Sequence, residues 1–318
     1  MIALPYSTVR TARLAHRLVD VGSGPAVVLL HGFPEGPHSW RHVIPPLADA
    51  GYRVIAPSQR GYAGTDAPPE VTAYDQIELA ADVVALLDTL GAADAVVVDH
   101  DWGGPVAWIT ALLHPQRVRG VVALSVGHGG RSPHPPISSL ERRVGESFFY
   151  MLYFQEPGVA EAELEADVRE SLRVFYYSAS GDLPPGSFFV PQPRTAKLFD
   201  SMKAPPGLPP WLAEADLDVY AAAFRESGFR GPLNWYRNMD RSWERTAHLA
   251  TAKVQQPALF IAGDRDPVVF FSQSVLQRMP EAVPRLRSQI MLPGCGHWTA
   301  QERPAEVTAE LLAFLRGL

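Results

Sequence analysis

The chain has 318 residues, a formal net charge of -6 and a single cysteine. Its length allows one large domain or a core with a smaller one, and 47% hydrophobic residues suffice for a sizeable buried core. The negative charge argues against a nucleic-acid partner, the lone Cys295 excludes an internal disulfide, and no apolar run approaches the roughly 18 residues of a membrane helix. We expect a cytoplasmic protein, because residues 1–17, broken by Pro5 and several arginines, do not resemble a signal peptide.

The first part of the chain predicts short buried strands that alternate with helices. We expect an early strand pair over residues 10–21, further strands at 26–30, 52–56, 95–98 and 118–125, and helices at 39–50, 74–90 and 105–113. Short apolar strands between helices are typical of a mostly parallel sheet that is covered on both faces.

The composition changes at Gly127, where proline, serine and aromatic residues replace the alternation of strands and helices. The pattern here predicts helices at 157–177, 212–227 and 232–242 and proline-rich loops at 184–193 and 205–210. The alternation returns with predicted strands at 254–262 and 287–292 and helices at 270–279 and 305–318. We therefore predict an α/β fold with a doubly wound, mostly parallel sheet, a core domain of residues 1–129 and 246–318, and a helical cap domain of residues 130–245 after the sixth strand.

The segment VDHDWGG, residues 98–104, lies between a predicted strand and a predicted helix. A reactive side chain on such a turn, flanked by small residues, is typical of a nucleophile elbow, and here the reactive position holds Asp101. A carboxylate is already an anion at neutral pH, so it attacks an alkyl carbon without a base and forms an ester. Aspartate also suits a plain helix N-cap, but Gly103, Gly104 and the partners downstream favour the nucleophile.

Further candidate groups follow two other predicted strands. His297 lies in a loop after the last strand, and two carboxylates, Asp264 and Asp266, follow the strand before it. Since Asp101 needs no base, we expect His297 to deprotonate the water that hydrolyses the ester. One of the two carboxylates orients this histidine, and the spacing leaves both choices open. Nucleophile, acid and histidine occur in the chain order of the α/β-hydrolases.

The segment HGFPE, residues 31–35, follows the predicted strand at 26–30. We expect the backbone N–H groups of Phe33 and Trp102 to form an oxyanion hole for the charge that develops when water attacks the ester. His31 is expected to hold the loop, and Glu35 either positions water or is an exposed loop carboxylate.

These motifs resemble those of the soluble epoxide hydrolases of the α/β-hydrolase fold. The resemblance covers nearly the whole chain, through HGFPE, QRGY, HDWGG, GDRDP and GHWT in the core and YMLYFQEPGVAEAELE and GPLNWYRN in the cap. It implies Asp101 as the nucleophile and Asp266 as the acid beside His297. It also implies that two cap tyrosines, Tyr150 and Tyr236, hydrogen-bond the epoxide oxygen. A phenol can donate a hydrogen bond or a proton to the alkoxide that ring opening produces.

Four more residues are expected to lie near the substrate: Glu35, Tyr153, Trp235 and Trp298. Tyr153 competes with Tyr150 for the first tyrosine position. The expected partners are a small-molecule epoxide and water, with no metal and no organic cofactor. The sequence leaves a monomer and a homodimer equally open.

The chain departs from the family pattern at two positions. Asp99 stands where a small residue is usual, and Ser58 stands where aspartate is frequent. If Asp99 lay near Asp101, its like charge would raise the pKa of the nucleophile, whereas it would have no such effect if it pointed into solvent or a polar pocket. Two alternative functions are a haloalkane or haloacid dehalogenase with the same aspartate nucleophile and a non-catalytic ligand-binding protein of this fold. The paired cap tyrosines favour the epoxide.

Overall fold

The computed structural model describes residues 3–184 and 191–318. A sheet of eight strands forms its centre, in the order β1-β2-β4-β3-β5-β6-β7-β8. The strands are β1 Tyr6–Arg10, β2 Ala15–Val21, β3 Ala26–Leu30, β4 Arg53–Pro57, β5 Ala95–His100, β6 Val118–Leu124, β7 Ala258–Gly263 and β8 Leu286–Leu292. The pairs of β2 with β1 and β4 are antiparallel, and all other neighbouring strands are parallel. The predicted α/β fold with a mostly parallel sheet is confirmed.

Helices cover both faces of this sheet. The core helices are α1 Ile44–Asp49, α2 Gln76–Thr89, α3 Gly103–Leu113, α11 Pro267–Ala282, α12 Thr299–Glu302 and α13 Pro304–Arg316. Because side chains alternate along a strand, Val97 of β5 packs in one hydrophobic layer with residues of α2 and α3. Its neighbours Val96 and Val98 pack in the other layer, with residues of α1 and α13. Such two-sided burial explains why β3 and β5 are apolar almost throughout.

A set of helices lies between β6 and β7, which confirms a helical insertion after the sixth strand. Those in the described part of the chain are α4 Pro136–Val144, α5 Tyr150–Tyr153, α6 Val159–Ala166, α7 Val168–Ser178, α8 Glu214–Ser227, α9 Arg230–Arg237 and α10 Met239–Arg245. The limits proposed for the cap, residues 130–245, stay a prediction. Of the predicted loop at 184–193, residues 185–190 lie outside the described residues.

Two of the predicted cap helices are wrong as single helices. The pattern at 157–177 covers both α6 and α7, which are separated at Asp167. This residue has an extended backbone, and its side chain accepts the N–H of Glu170, so it caps a new helix. The pattern at 232–242 likewise spans α9 and α10, which are separated at Asn238.

The predicted core helix at 39–50 is also divided. It consists of a 3-10 turn, Pro37–Trp40, followed by the short helix α1, whose first turn holds Pro45 and Pro46. Proline lacks the N–H that a helix interior requires but is tolerated in the first turn. Among the described helices, none combines the length and the apolar character that crossing a membrane requires.

Candidate active site

Asp101 lies on a tight turn between the end of β5 and the start of α3. Its φ of 50° is in the left-handed region, which is unfavourable for a residue with a side chain and is frequent at functional sites. The turn also requires small neighbours. A Cβ on Gly103 would lie 2.3 Å from the carbonyl oxygen of Leu30, and a Cβ on Gly32 would lie 2.3 Å from the Cβ of Asp101.

Two groups from distant parts of the chain meet the Asp101 carboxylate. The Phe33 N–H donates to Oδ1 at 2.8 Å, and Nε2 of His297 lies 3.6 Å from Oδ2. On the other side of the imidazole, Nδ1 lies 3.1 Å from both oxygens of Asp266. Asp264 is not part of this group, because its Oδ1 accepts the N–H of Gly294 at 2.7 Å. The structure therefore brings Asp101, His297 and Asp266 together.

The three charged side chains stabilise one another. Burial acts to raise the pKa of Asp101, but hydrogen bonding and charge from His297 lower it below its usual value. Burial acts to lower the pKa of His297, but the charges of Asp266 and Asp101 hold it well above its usual value. In the resting site, Asp101 is thus an anion paired with a cationic imidazole.

Tyr150 and Tyr236 face the nucleophile from the cap. Tyr150 begins α5, Tyr236 lies near the end of α9, and the two ring centroids are 6.1 Å apart. Burial raises the pKa of both phenols, and the negative charge on Asp101 raises it further. Both phenols therefore keep their protons at neutral pH and can act as donors.

These residues line a cavity of about 440 Å³, including its mouth, between the sheet and the cap. Its walls are mostly apolar, as is usual for small-molecule sites. The lining residues are Phe33, Asp101, Tyr150, Phe175, Ser178, Ala179, Met202, Tyr236, Pro267, Val268, His297 and Trp298. The sequence patterns did not indicate Phe175, Ser178, Met202 or Val268.

Of the other predicted pocket residues, only Trp298 borders this cavity, and its ring N–H donates to the carbonyl of Tyr176. The placement of Tyr153 in the pocket is wrong, because its hydroxyl donates to Glu163 at 2.6 Å on the rim of a separate cap cavity. Trp235 stands behind Trp102, with ring centroids 6.1 Å apart, and does not line the pocket.

Glu35 is buried, so its interpretation as an exposed loop carboxylate is wrong. Its Oε2 accepts the N–H of Gly32 and lies 2.7 Å from Nδ1 of His100. The other ring nitrogen of His100 lies 2.7 Å from the carbonyl oxygen of His297. His100 therefore connects Glu35 to the loop that carries His297. Sequence reasoning missed this residue, although it directly precedes Asp101.

Asp99 lies neither in solvent nor in a polar pocket. Its side chain is fully buried, and neither carboxyl oxygen has a hydrogen-bond partner among the described residues. Its Oδ1 would lie 3.1 Å from a Cβ on Gly104, which places the carboxyl beneath the first turn of α3. Burial raises the pKa of Asp99 well above its usual value, and the charge on Asp101 raises it further. Burial and the neighbouring charge therefore favour the protonated, neutral form of Asp99.

Two other motif residues hold loops in place. Nε2 of His31 accepts the N–H of Gln59 at 3.1 Å, as expected for a loop-holding residue, and burial lowers the pKa of His31 to about 4. Ser58 donates its hydroxyl to the carbonyl of Ala63 at 2.8 Å. Over residues 3–184 and 191–318, no group of three or more histidine, cysteine, aspartate or glutamate side chains could hold a metal ion.

Comparison with known proteins agrees with this geometry. Residues 25–304 match the family model of the α/β-hydrolase fold. The chain is 48% identical to epoxide hydrolase A of Mycobacterium tuberculosis, over 95% of this chain and 94% of the relative. The crystal structure of epoxide hydrolase A from Mycobacterium thermoresistibile superposes with a TM-score of 0.94 at 48% identity, over 99% of both chains. An epoxide hydrolase from an endophytic Streptomyces superposes with a TM-score of 0.95 at 44% identity, over 98% of this chain and 95% of that one. The chain therefore belongs to the α/β-hydrolase family and, within it, to the epoxide hydrolases.

Proposed function

We propose that Asp101 opens the epoxide and that His297 releases the resulting ester as a vicinal diol. The observation that carries this assignment is a single carboxylate held by the Phe33 N–H and paired with His297, in a cavity that two tyrosines line from the cap. Oδ1 receives the backbone hydrogen bond, so Oδ2 is the oxygen available for attack.

In the first step, Oδ2 of Asp101 bonds to one carbon of the epoxide ring, and the bond from that carbon to the ring oxygen breaks. The leaving oxygen becomes an alkoxide, which is costly to form without a donor. Tyr150 and Tyr236 donate hydrogen bonds to it, and one of them supplies the proton. The product of this step is a neutral hydroxyalkyl ester of Asp101.

In the second step, His297 takes a proton from water, and the hydroxide formed attacks the carbonyl carbon of the ester. Oδ1 carries the negative charge of the tetrahedral intermediate, where the N–H groups of Phe33 and Trp102 stabilise it. The intermediate collapses, its hydroxyl proton passes to the leaving oxygen, and the diol leaves with Oδ2, which restores the Asp101 carboxylate beside the cationic His297. Asp266 orients the imidazole and stabilises its cationic form.

The loss of the negative charge on Asp101 in the first step allows the second step to follow it. In the resting enzyme, the two carboxylates that flank His297 favour its cationic form despite burial. Esterification neutralises Asp101 and removes one of these charges, so the pKa of His297 falls. The imidazole gives its proton to the tyrosine that protonated the alkoxide and is then available as a base. Glu35 acts through His100, which holds the carbonyl of His297 and so positions its loop.

The experiment that tests this assignment is His297→Gln. Glutamine keeps a polar side chain but cannot act as a base, so ring opening proceeds while ester hydrolysis stops. We expect intact-protein mass spectrometry to show one added epoxide per chain, located by peptide mapping on the peptide that contains Asp101. Rapid turnover by this variant, or an adduct on another residue, contradicts the scheme.

The substrates are a small-molecule epoxide and water. A cytoplasmic location is a proposal supported by the single cysteine, Cys295, which is buried and free, and cell fractionation tests it. Sedimentation analysis distinguishes the monomer from the homodimer. The comparisons do not favour a dehalogenase or a non-catalytic binding protein, and no residue of the described cavity favours either alternative.

A further inference from the structure

One polar side chain of the active-site cavity has no role in the proposed chemistry. Asp101, His297, Tyr150 and Tyr236 act on the epoxide or on water, and the ring N–H of Trp298 is donated to a backbone carbonyl. The remaining described lining residues are apolar, with the exception of Ser178.

The Ser178 hydroxyl is buried and has no hydrogen-bond partner among the described residues. Ser178 ends α7, where a serine frequently returns its hydrogen bond to a carbonyl one turn earlier. Ser171 of the same helix is also buried but is satisfied, since it donates to the carbonyl of Leu164 at 2.9 Å. Leaving a buried hydroxyl unpaired lowers the stability of the fold. A residue with a purely structural role would not carry this penalty.

The position of Ser178 is fixed relative to the catalytic groups. The carbonyl of the next residue, Ala179, accepts the backbone N–H of His297 at 2.8 Å. The end of α7 is thereby tied to the loop that holds the catalytic base. The neighbouring walls are the apolar side chains of Phe175, Met202 and Trp298.

We propose that Ser178 is a specificity-determining residue whose hydroxyl hydrogen-bonds an oxygen atom in the substituent of the substrate. The substrate class is then an epoxide with an ether or hydroxyl oxygen in an otherwise apolar chain. A few polar groups in an apolar pocket commonly fix the orientation of a ligand in this way. This proposal rests on the proposed function, because it assigns a substituent to the epoxide that Asp101 opens.

The test uses three substrates of equal chain length. The reference substrate is 1,2-epoxyhexane. An oxygen replaces its C4 in ethyl glycidyl ether and its C5 in 1,2-epoxy-4-methoxybutane. The measured quantity is kcat/KM for each ether relative to 1,2-epoxyhexane, in the wild type and in Ser178→Ala. Intrinsic differences between the substrates cancel when this ratio is compared between the two proteins.

We expect the ratio for at least one ether to be about threefold to tenfold higher in the wild type than in Ser178→Ala, the range for one uncharged hydrogen bond. The loss should appear mainly in KM, because the substituent contact is present before and during the reaction. Ser178→Cys keeps the volume but provides only a weak donor, and it should show the same loss. Ser171→Ala, on the same helix, is the matched control and should keep the wild-type ratio.

A structural role for Ser178 would change all three substrates equally and leave the ratio unaltered. Equal ratios in the wild type, Ser178→Ala and Ser178→Cys for both ethers overturn the proposal, while diol formation from all three substrates leaves the proposed function standing. If the wild-type enzyme forms no diol from any of them, the proposed function fails and this proposal fails with it. The thermal stability of Ser178→Ala is a second readout, and we expect it to be no lower than that of the wild type.

Discussion

Replacing Asp99 by asparagine should change how the stability of the fold depends on pH. Asp99 is fully buried without a partner among the described residues, and burial together with the charge of Asp101 raises its pKa. Asparagine has nearly the same shape but carries no titratable proton. The variant therefore isolates the free energy that the buried acid contributes through its ionisation.

The sign follows from the protons bound in each state. The unfolded carboxyl loses its proton near its reference pKa of about 3.9, whereas the folded enzyme keeps the proton until the raised pKa is reached. Between these two values the folded state binds one more proton, so the unfolding free energy falls by about 1.4 kcal/mol for each pH unit. The fall in unfolding free energy over two pH units is a large part of the roughly 5–15 kcal/mol by which a typical domain is stable.

The assay is denaturant unfolding of the wild type and of Asp99→Asn at about pH 5, 6 and 7, with linear extrapolation to water. We expect the unfolding free energy of the variant, relative to that of the wild type, to rise by about 1.4 kcal/mol with each pH unit until the folded pKa of Asp99 is passed. Asp49→Asn is the matched control, because it makes the same substitution at an exposed position. If the difference in unfolding free energy between Asp99→Asn and the wild type does not change with pH, the reasoning is refuted.

Two further predictions concern the chemical steps. Replacing Tyr150 or Tyr236 by phenylalanine removes one donor to the leaving oxygen and should slow ester formation about 100-fold, and the double variant should show no detectable turnover. Single-turnover mass spectrometry measures ester formation in the single and double variants. A double variant with the wild-type rate contradicts the donor role. Lower pH should slow ester hydrolysis, because His297 acts as a base only when neutral and Asp266 continues to favour its cation after Asp101 is esterified. Rapid quenching should then find more ester on Asp101 at low pH, and ester levels that do not vary with pH contradict the role of His297.

The nucleophile and the histidine could be predicted because each lies in a short motif with a defined local structure. Asp101 lies between an apolar strand and a helix, with glycines where the turn admits no Cβ, and these features are all local. The spacing alone leaves the choice between Asp264 and Asp266 open, although a local signal exists. Asp266 directly precedes Pro267 and caps α11, accepting the N–H of Val268, and aspartate before proline is a typical helix start.

Contacts between distant segments could not be predicted in the same way. Glu35 and His100 are separated by 65 residues and meet only because β3 and β5 are adjacent in the sheet. The buried environment of Asp99 likewise depends on the packing of α3 against the sheet, which a single aspartate in an apolar strand does not reveal. The cap was harder still, because the break at Asp167 separates α7 from α6 and so determines how Ser178 and Phe175 reach the cavity.

The most direct test of the covalent mechanism is a single turnover in water labelled with oxygen-18, with enzyme in excess over epoxide. Because water attacks the carbonyl carbon of the ester and the diol leaves with Oδ2, we predict that the label enters the Asp101 side chain and that the first diol released is unlabelled. A labelled diol together with an unlabelled Asp101 would mean that water attacks the epoxide directly, and it would contradict the account.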